Sequence, residues 1–273
     1  VEHLKSVDTF DAFETLEVIF EGIAPNGTAY LNGKYEGEAS DYFYYECDVA
    51  EGLSNNDKVT VTITGYNEDW VKDCIENCGV RPLETKKTYE VTGLMSYVQA
   101  VSEIPEASME ELKQKAEEYY RTNVADDWEE DEELKEMTFL GTYFVKKNPD
   151  SDSWFANENQ LYLVYRILVK NEYSNGSDSY KEKNEIYWYI GWSDLKLTAE
   201  KQMDVAYNDR EIPRRSFYID SGVNTGWFSR KYWYYYGYET LEALLEKLEA
   251  DSGDYLTDNQ IDTSLIEAEP KEE

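Results

Sequence analysis

The chain has 273 residues, with 58 Asp and Glu against 26 Lys and Arg, a formal charge of -32 at pH 7. Such a polyanion is repelled by nucleic-acid phosphates and by anionic lipid surfaces, which excludes both as partners recognised by charge. A wholly disordered chain is excluded too, because 41% of residues are hydrophobic and 15% aromatic, including 25 Tyr and 7 Trp. The most apolar stretch, Leu161 to Val169, is interrupted by Arg166 and falls far short of the ~20 residues of a membrane-spanning helix.

In chain order, the first 95 residues read as short strands. Leu16, Val18 and Phe20 alternate with Glu17, Ile19 and Glu21, and Pro25-Asn26-Gly27 turns the chain into a return strand through Thr28, Tyr30 and Leu31. Tyr42 to Val49 is an aromatic strand ended by Gly52. After the turn residues Ser54 to Asp57, Lys58 to Thr64 is the clearest strand, with Val59, Val61 and Ile63 on one face. Trp70, Val71, Cys74, Ile75 and Cys78 recur at helical spacing, with Gly79 as the residue that ends the helix and Pro82 beyond. Thr88 to Thr92 supplies the last strand of a small β-sandwich-like domain, 1–95.

A boundary is expected between 95 and 105, where strand periodicity stops. Pro105 precedes a helix with Ser108 and Glu111 as a capping box and Met109, Leu112, Ala116, Tyr119 and Tyr120 as its buried stripe. The acidic run Asp126 to Glu136 reads as a solvated connection or helix. Three long strands follow, Met137 to Lys147, Gln160 to Lys170 and Glu185 to Leu197, in the order of an antiparallel meander. Phe217 to Asp220 adds a shorter strand. A second helix begins near Thr240 with Leu241, Leu244, Leu245 and Leu248 on one face. The acidic tail from Asp258 is expected to be peripheral. The fold class is therefore α+β, with residues 96–273 forming an α+β domain of one meander sheet and two helices.

Few motifs carry chemistry. Cys47, Cys74 and Cys78 allow one disulfide in any of three pairings, or stand as small buried hydrophobes. Zinc lacks a fourth ligand, because the only histidine, His3, lies near an end, and the same position argues against a Ser–His–Asp or Cys–His centre. No G-x-G and no phosphate loop occurs, and Tyr30 with Lys34 has a dehydrogenase spacing but no nucleotide-binding half. Asn148, Asp150 and Asp152 alternate like calcium ligands without the required glycine, which leaves a hairpin turn. With 58 carboxylates, close acidic pairs arise by chance and do not mark a glycosidase. No cofactor and no metal is expected.

The aromatic block is the unusual feature. Trp227, Phe228, Tyr232, Trp233, Tyr234, Tyr235, Tyr236 and Tyr238 fall together, with Gly237 among them. In a strand, neighbouring aromatics point to opposite faces. Either both faces are covered, or one meets a partner. Trp227, Tyr232, Trp233, Tyr235 and Tyr238 are the candidate binding surface. A partner must be cationic, or bind through apolar contact that outweighs repulsion; aromatic contact is then expected to be nearly insensitive to salt, or to strengthen with it.

Several segments resemble a known group. They are Val18, Phe20 and Gly22 in the first strand, Leu53-Ser54-Asn55-Asn56-Asp57-Lys58-Val59, Gly79-Val80-Arg81-Pro82, Thr85 to Tyr89, Val91-Thr92-Gly93-Leu94 and Gly237-Tyr238-Glu239-Thr240-Leu241. Together they resemble the extracellular part of TcaA-like, zinc-ribbon-bearing, membrane-anchored proteins of Gram-positive bacteria. The group's pattern carries glycine where this chain has Asn56. The resemblance covers mainly residues 15 to 95, and more thinly 137 to 256. It implies a β-rich outer region of a membrane-anchored protein and no catalytic residue. The start at Val1 mildly favours an exported protein. The expectation is thus a non-enzymatic cell-surface ectodomain that binds protein or envelope polymer; the rival is a secreted carbohydrate-binding protein or hydrolase accessory module.

Overall fold

The computed structural model describes residues 7–153, 156–204, 210–226 and 229–266. The chain divides into two compact units. One holds the described residues up to Ser96 with Leu197–Gln202, the other Tyr97–Lys196 and the described residues from Met203. Strands dominate, with three α-helices among the described residues, so the class is α+β.

In the first unit, β1 (Glu17–Glu21), β2 (Gly27–Asn32), β3 (Phe43–Cys47), β4 (Glu51–Leu53), β5 (Lys58–Gly65) and β6 (Lys86–Glu90) form two antiparallel sheets, ordered β1-β2-β4 and β3-β5-β6. The period-2 pattern of β5 places Val59, Val61 and Ile63 in the interior and the threonines between them on the half-exposed face. Val61 and Ile63 pack with Phe10, Phe13, Phe43 and Cys74; Val59 packs with Leu53, Val91 and Leu94. The expected helix is shorter than its apolar spacing: α1 (Trp70–Asp73) passes into a π turn over Cys74–Cys78, and Gly79 at φ 72° ends it in the left-handed region. Asn56 also sits at φ 73°, a conformation that glycine adopts without strain and asparagine more readily than most residues.

The candidate disulfide is corrected by this packing. All three cysteines are free thiols. Cys74 is buried in the cluster around Phe43 with Cys78 against it, whereas Cys47 lies against the separate cluster around Val59. They are used as small apolar side chains, and burial pushes the Cys74 thiol above its ordinary value.

The second unit opens with α2 (Glu106–Tyr119). It starts directly after Pro105, and no side-chain cap forms, so Ser108 and Glu111 do not make the expected capping box. The fixed φ of Pro105 (-58°) sets the chain for the helix, and its carbonyl accepts from Met109 N–H at 3.0 Å. Next come β7 (Glu132–Lys147), β8 (Asn159–Ser174) and β9 (Ser179–Ser193), each longer than its sequence pattern. With β10 (Arg210–Glu211) and β13 (Tyr255–Asn259) they make one antiparallel sheet, ordered β10-β9-β8-β7-β13. Between β10 and β13 the chain forms the hairpin β11 (Ser216–Asn224) and β12 (Arg230–Tyr236), then α3 (Leu241–Asp251), whose first turn is capped by Thr240 Oγ1 accepting from Ala243 N–H.

The apolar run Leu161–Val169 is the central strand β8, covered on both faces. One face carries Tyr162 and Val164 against Tyr187, Tyr189, Leu241, Leu244 and Leu248. The other carries Tyr165, whose ring packs on Trp188 beside Tyr119 and Tyr120 of the α2 end. Arg166, the charge inside the run, is buried beside Glu136 (3.7 Å) and Glu185 (3.5 Å). The tail expected to be peripheral is instead paired: β13 lies along β7 from Lys147↔Tyr255 to Tyr143↔Asn259, and Ile261 and Ile266 pack on the α3 side of the core. Its polar residues face water on an edge strand, which is why its composition reads as a loop.

Candidate functional site

The aromatic block is β12, and alternation sorts it. Trp233 and Tyr235 are each 2% exposed, whereas Tyr232, Tyr234 and Tyr236 are 36%, 67% and 57% exposed. Three of the expected binding residues, Trp233, Tyr235 and Tyr238, are therefore core, because the sheet beneath the hairpin and α3 cover them. Tyr235 Oη accepts from Asn171 Nδ2 at 2.6 Å, and its ring meets Trp128 edge-on at 5.3 Å. Trp233 Nε1 donates to Asp131 Oδ1 at 3.0 Å, and its ring lies 5.2 Å from Tyr180. Tyr238 joins the α3-side core. Burial raises the Tyr235 and Tyr238 phenols above their ordinary value. Trp227 lies outside the described residues. Among the described members of the expected set, Tyr232 alone presents its ring to solvent.

The outward face of the hairpin is richer than expected, because β11 adds Tyr218, 58% exposed. Tyr218 stands opposite Tyr234 in the register, 6.1 Å from its ring at 52° and 5.3 Å from Tyr232 at 86°. Beside this face runs a groove of about 550 Å³, within the range of roughly 300–1,000 Å³ usual for ligand sites. Three stretches line it: the segment after α2 from Asn123 to Glu132; Ile212 to Arg214; and β12 from Tyr232 to Tyr236. Asp127, Glu129 and Glu132 give it acidic character, with Arg214 as the cation among its lining residues.

The acidic run is thus partly structural. Lys231 pairs with Glu129 and with Asp131 (2.7 Å), clamping the connection to β12. Burial lowers the Lys231 pKa, but the hydrogen bonds to Asp131 and Glu129 outweigh it and leave the ammonium above its ordinary value. Glu132 accepts from Glu129 N–H at 2.8 Å and opens β7 rather than a solvated helix. Sequence reasoning missed Trp128, these carboxylates and Tyr218. The period-2 rule puts Tyr234 and Tyr236 on the face opposite Trp233 and Tyr235, but all are aromatic, so it does not say which face is core.

A second concavity of about 410 Å³ gathers Arg210, Arg214, Arg215 and Lys247 near Glu211. Much of its charge is spent locally: Arg215 pairs with Glu239 (3.3 Å), Lys247 with Asp251, and Arg210 lies 4.1 Å over the Tyr119 ring. The Asn148–Asp152 stretch is a turn, with Asn148 Oδ1 accepting from Asp150 N–H at 3.1 Å. No group of three or more His, Cys, Asp or Glu among the described residues could hold a metal ion, and no helix of theirs is long and apolar enough to cross a membrane. No protein-family model, curated protein or solved structure matches the chain, so the functional reading rests on this groove and the tyrosine face beside it.

Proposed function

We propose that the protein is a non-enzymatic binding module, an extracellular or cell-surface ectodomain that takes protein or envelope polymer at the groove beside β12. The observation that carries this reading is the exposed tyrosine set Tyr218, Tyr232, Tyr234 and Tyr236 bordering a groove that also holds Trp128. Large aromatic side chains left in water beside a concavity contribute most of the affinity at protein interfaces. Acid–base hydrolysis needs two carboxyl groups set against each other across a substrate. Here Glu132 instead accepts from the Glu129 N–H, and the Glu129 carboxylate pairs with Lys231 of β12. The surface address is supported by the TcaA-like turn-and-strand segments.

The rival carbohydrate reading is less well supported by the ring geometry. Tyr218 and Tyr232 stand at 86° and Tyr218 and Tyr234 at 52°, so the rings do not form the flat platform on which sugar rings stack. The test compares wild type, Tyr232→Ala/Tyr234→Ala and the interior control Tyr235→Phe for binding to solubilised envelope proteins and purified envelope glycan. The double variant is expected to lose at least about tenfold in affinity, since such anchors contribute about 2 kcal/mol each, while the control binds as wild type. Unchanged binding by the double variant would remove this reading.

A further inference from the structure

Resting on that reading of the groove, a second feature of β12 specifies what it binds. Among the described residues β12 pairs on one side only, with β11. The register runs Ser216↔Tyr236, Tyr218↔Tyr234 and Asp220↔Tyr232, and Gly237 N–H donates to the Arg215 carbonyl at 3.0 Å. In an antiparallel ladder the bonded pairs alternate with non-bonded ones. Position 237 belongs to the bonded set, and so do Tyr235 and Trp233. The N–H and C=O groups of Tyr232, Tyr234 and Tyr236 therefore point away from β11, toward the open edge. That edge lies along the groove. Among the described residues no backbone group pairs with these three.

Native sheets ordinarily cover or block such an edge, because a row of unpaired backbone groups is a template for another strand. Here the exposed side chains beside it are tyrosines. Asp127, Glu129 and Glu132 outnumber the cation Arg214 among the residues that line the groove, in a chain of net charge -32. A second copy of this chain would bring the same charge to the edge. A positively charged strand meets the opposite situation: its ammonium or guanidinium groups face carboxylates and tyrosine rings, and cation–π contact over an exposed ring is favourable.

We infer that the groove takes an extended, lysine- or arginine-bearing peptide segment of another protein, added as a strand to the open edge of β12. Main-chain bonds to Tyr232, Tyr234 and Tyr236 supply affinity independent of sequence. Side chains alternate, one set beside the tyrosines and the other toward Trp128, and supply selectivity.

The experiment uses the full chain and a synthetic nine-residue peptide of alternating lysine and valine. Its companions are an aspartate–valine peptide and two lysine–valine peptides N-methylated on one or the other alternate set of residues. Methylation removes the N–H without changing charge. The lysine peptide is expected to bind, and the aspartate peptide not to bind. Methylation of the edge-facing set is expected to weaken binding about tenfold or more, and methylation of the other set to leave it nearly unchanged. Amide hydrogen exchange gives a second readout on the unmodified protein. Tyr232, Tyr234 and Tyr236 are expected to gain protection on peptide addition, while Trp233 and Tyr235, already bonded to β11, do not change.

Equal binding of both methylated peptides, or preference for the aspartate peptide, overturns the inference. So does protection of the three tyrosine amides that rises with protein concentration alone, which assigns the edge to a second copy. If Tyr234→Ala abolishes lysine-peptide binding while neither methylated set matters, strand addition fails and the groove remains the binding site. If neither change has an effect, the groove reading fails with it.

Discussion

Trp233 and Tyr234 are adjacent on one strand, and the structure gives them opposite energetic roles. Trp233→Ala removes a buried indole that packs on Tyr180 and leaves Asp131 without its N–H donor. The expected cost is about 3–5 kcal/mol, read as a lowered urea midpoint. Tyr234→Ala, on the face turned to water, is expected to stay within about 0.5 kcal/mol of wild type in the same titration. Asn159 is a third case. It is fully buried, its Nδ2 donating to the Val98 carbonyl (3.0 Å) and the Leu195 carbonyl (2.9 Å), and its Oδ1 accepting from Leu195 N–H (2.8 Å). Asn159→Ala leaves the Val98 carbonyl and the Leu195 N–H without this buried partner, and an expected loss of about 2–4 kcal/mol follows. An unchanged midpoint would mean that this amide does not hold the 98 and 195 segments.

Among the elements, β13 shows how a polar segment is fixed by its neighbour. Gly141 lies in a bulge of β7 at φ 143°, and a Cβ there would come 2.3 Å from the Gln260 carbonyl and 2.7 Å from Ile261 Cα. Both the backbone conformation and the close approach require glycine. Gly141→Ala is expected to destabilise by about 1–3 kcal/mol and to speed amide exchange in Gln260 and Asp262, whose N–H groups donate to the Thr142 and Leu140 carbonyls. Exchange unchanged there would place the strain elsewhere. The sequence carried a turn signal at neither end of this bulge, because Gly141 sits inside an otherwise regular strand pattern. By contrast, the Thr240 start of α3 was legible, since a capping side chain and the leucine stripe are both local features.

At the scale of the whole molecule, charge and buried phenols set the response to solvent. Burial raises the pKa of Tyr120, Tyr162, Tyr165, Tyr189 and Tyr235 above the ordinary 10.0. An unfolded chain releases these protons near pH 10 while the folded one keeps them. The folded state thus binds more protons, and stability falls as pH rises past about 10. Lys231 acts in the same direction: its raised pKa contributes stability below 10.5 that is lost as pH climbs through the folded value. Urea midpoints are expected to be flat near pH 8 and to drop steeply above pH 10, with phenolate absorbance rising together with unfolding. Smooth phenolate titration without loss of structure would contradict the burial. Salt is expected to raise the melting temperature, because the net charge of -32 repels itself within the folded volume and screening shortens that repulsion to about 8 Å at physiological ionic strength.

The amino-acid sequence by itself determined the α+β class, the meander order and the interior faces of β5 and of α3, because each depends on a local period in which apolar and polar residues differ. It also limited the partners that charge permits. It could not sort the aromatic block. Trp233 and Tyr235 belong to the same chemical class as Tyr232, Tyr234 and Tyr236, so the period of two carries no contrast, and only the sheet beneath the hairpin decides which face is core. The open edge of β12 was hidden for a related reason. The direction of each N–H along the strand follows from its register with β11, a pairing made across a turn and anchored at Arg215 and Gly237. The groove was hidden likewise, since it joins Trp128 and the acidic run to a strand about a hundred residues later, and proximity of that kind exists only after the chain has folded.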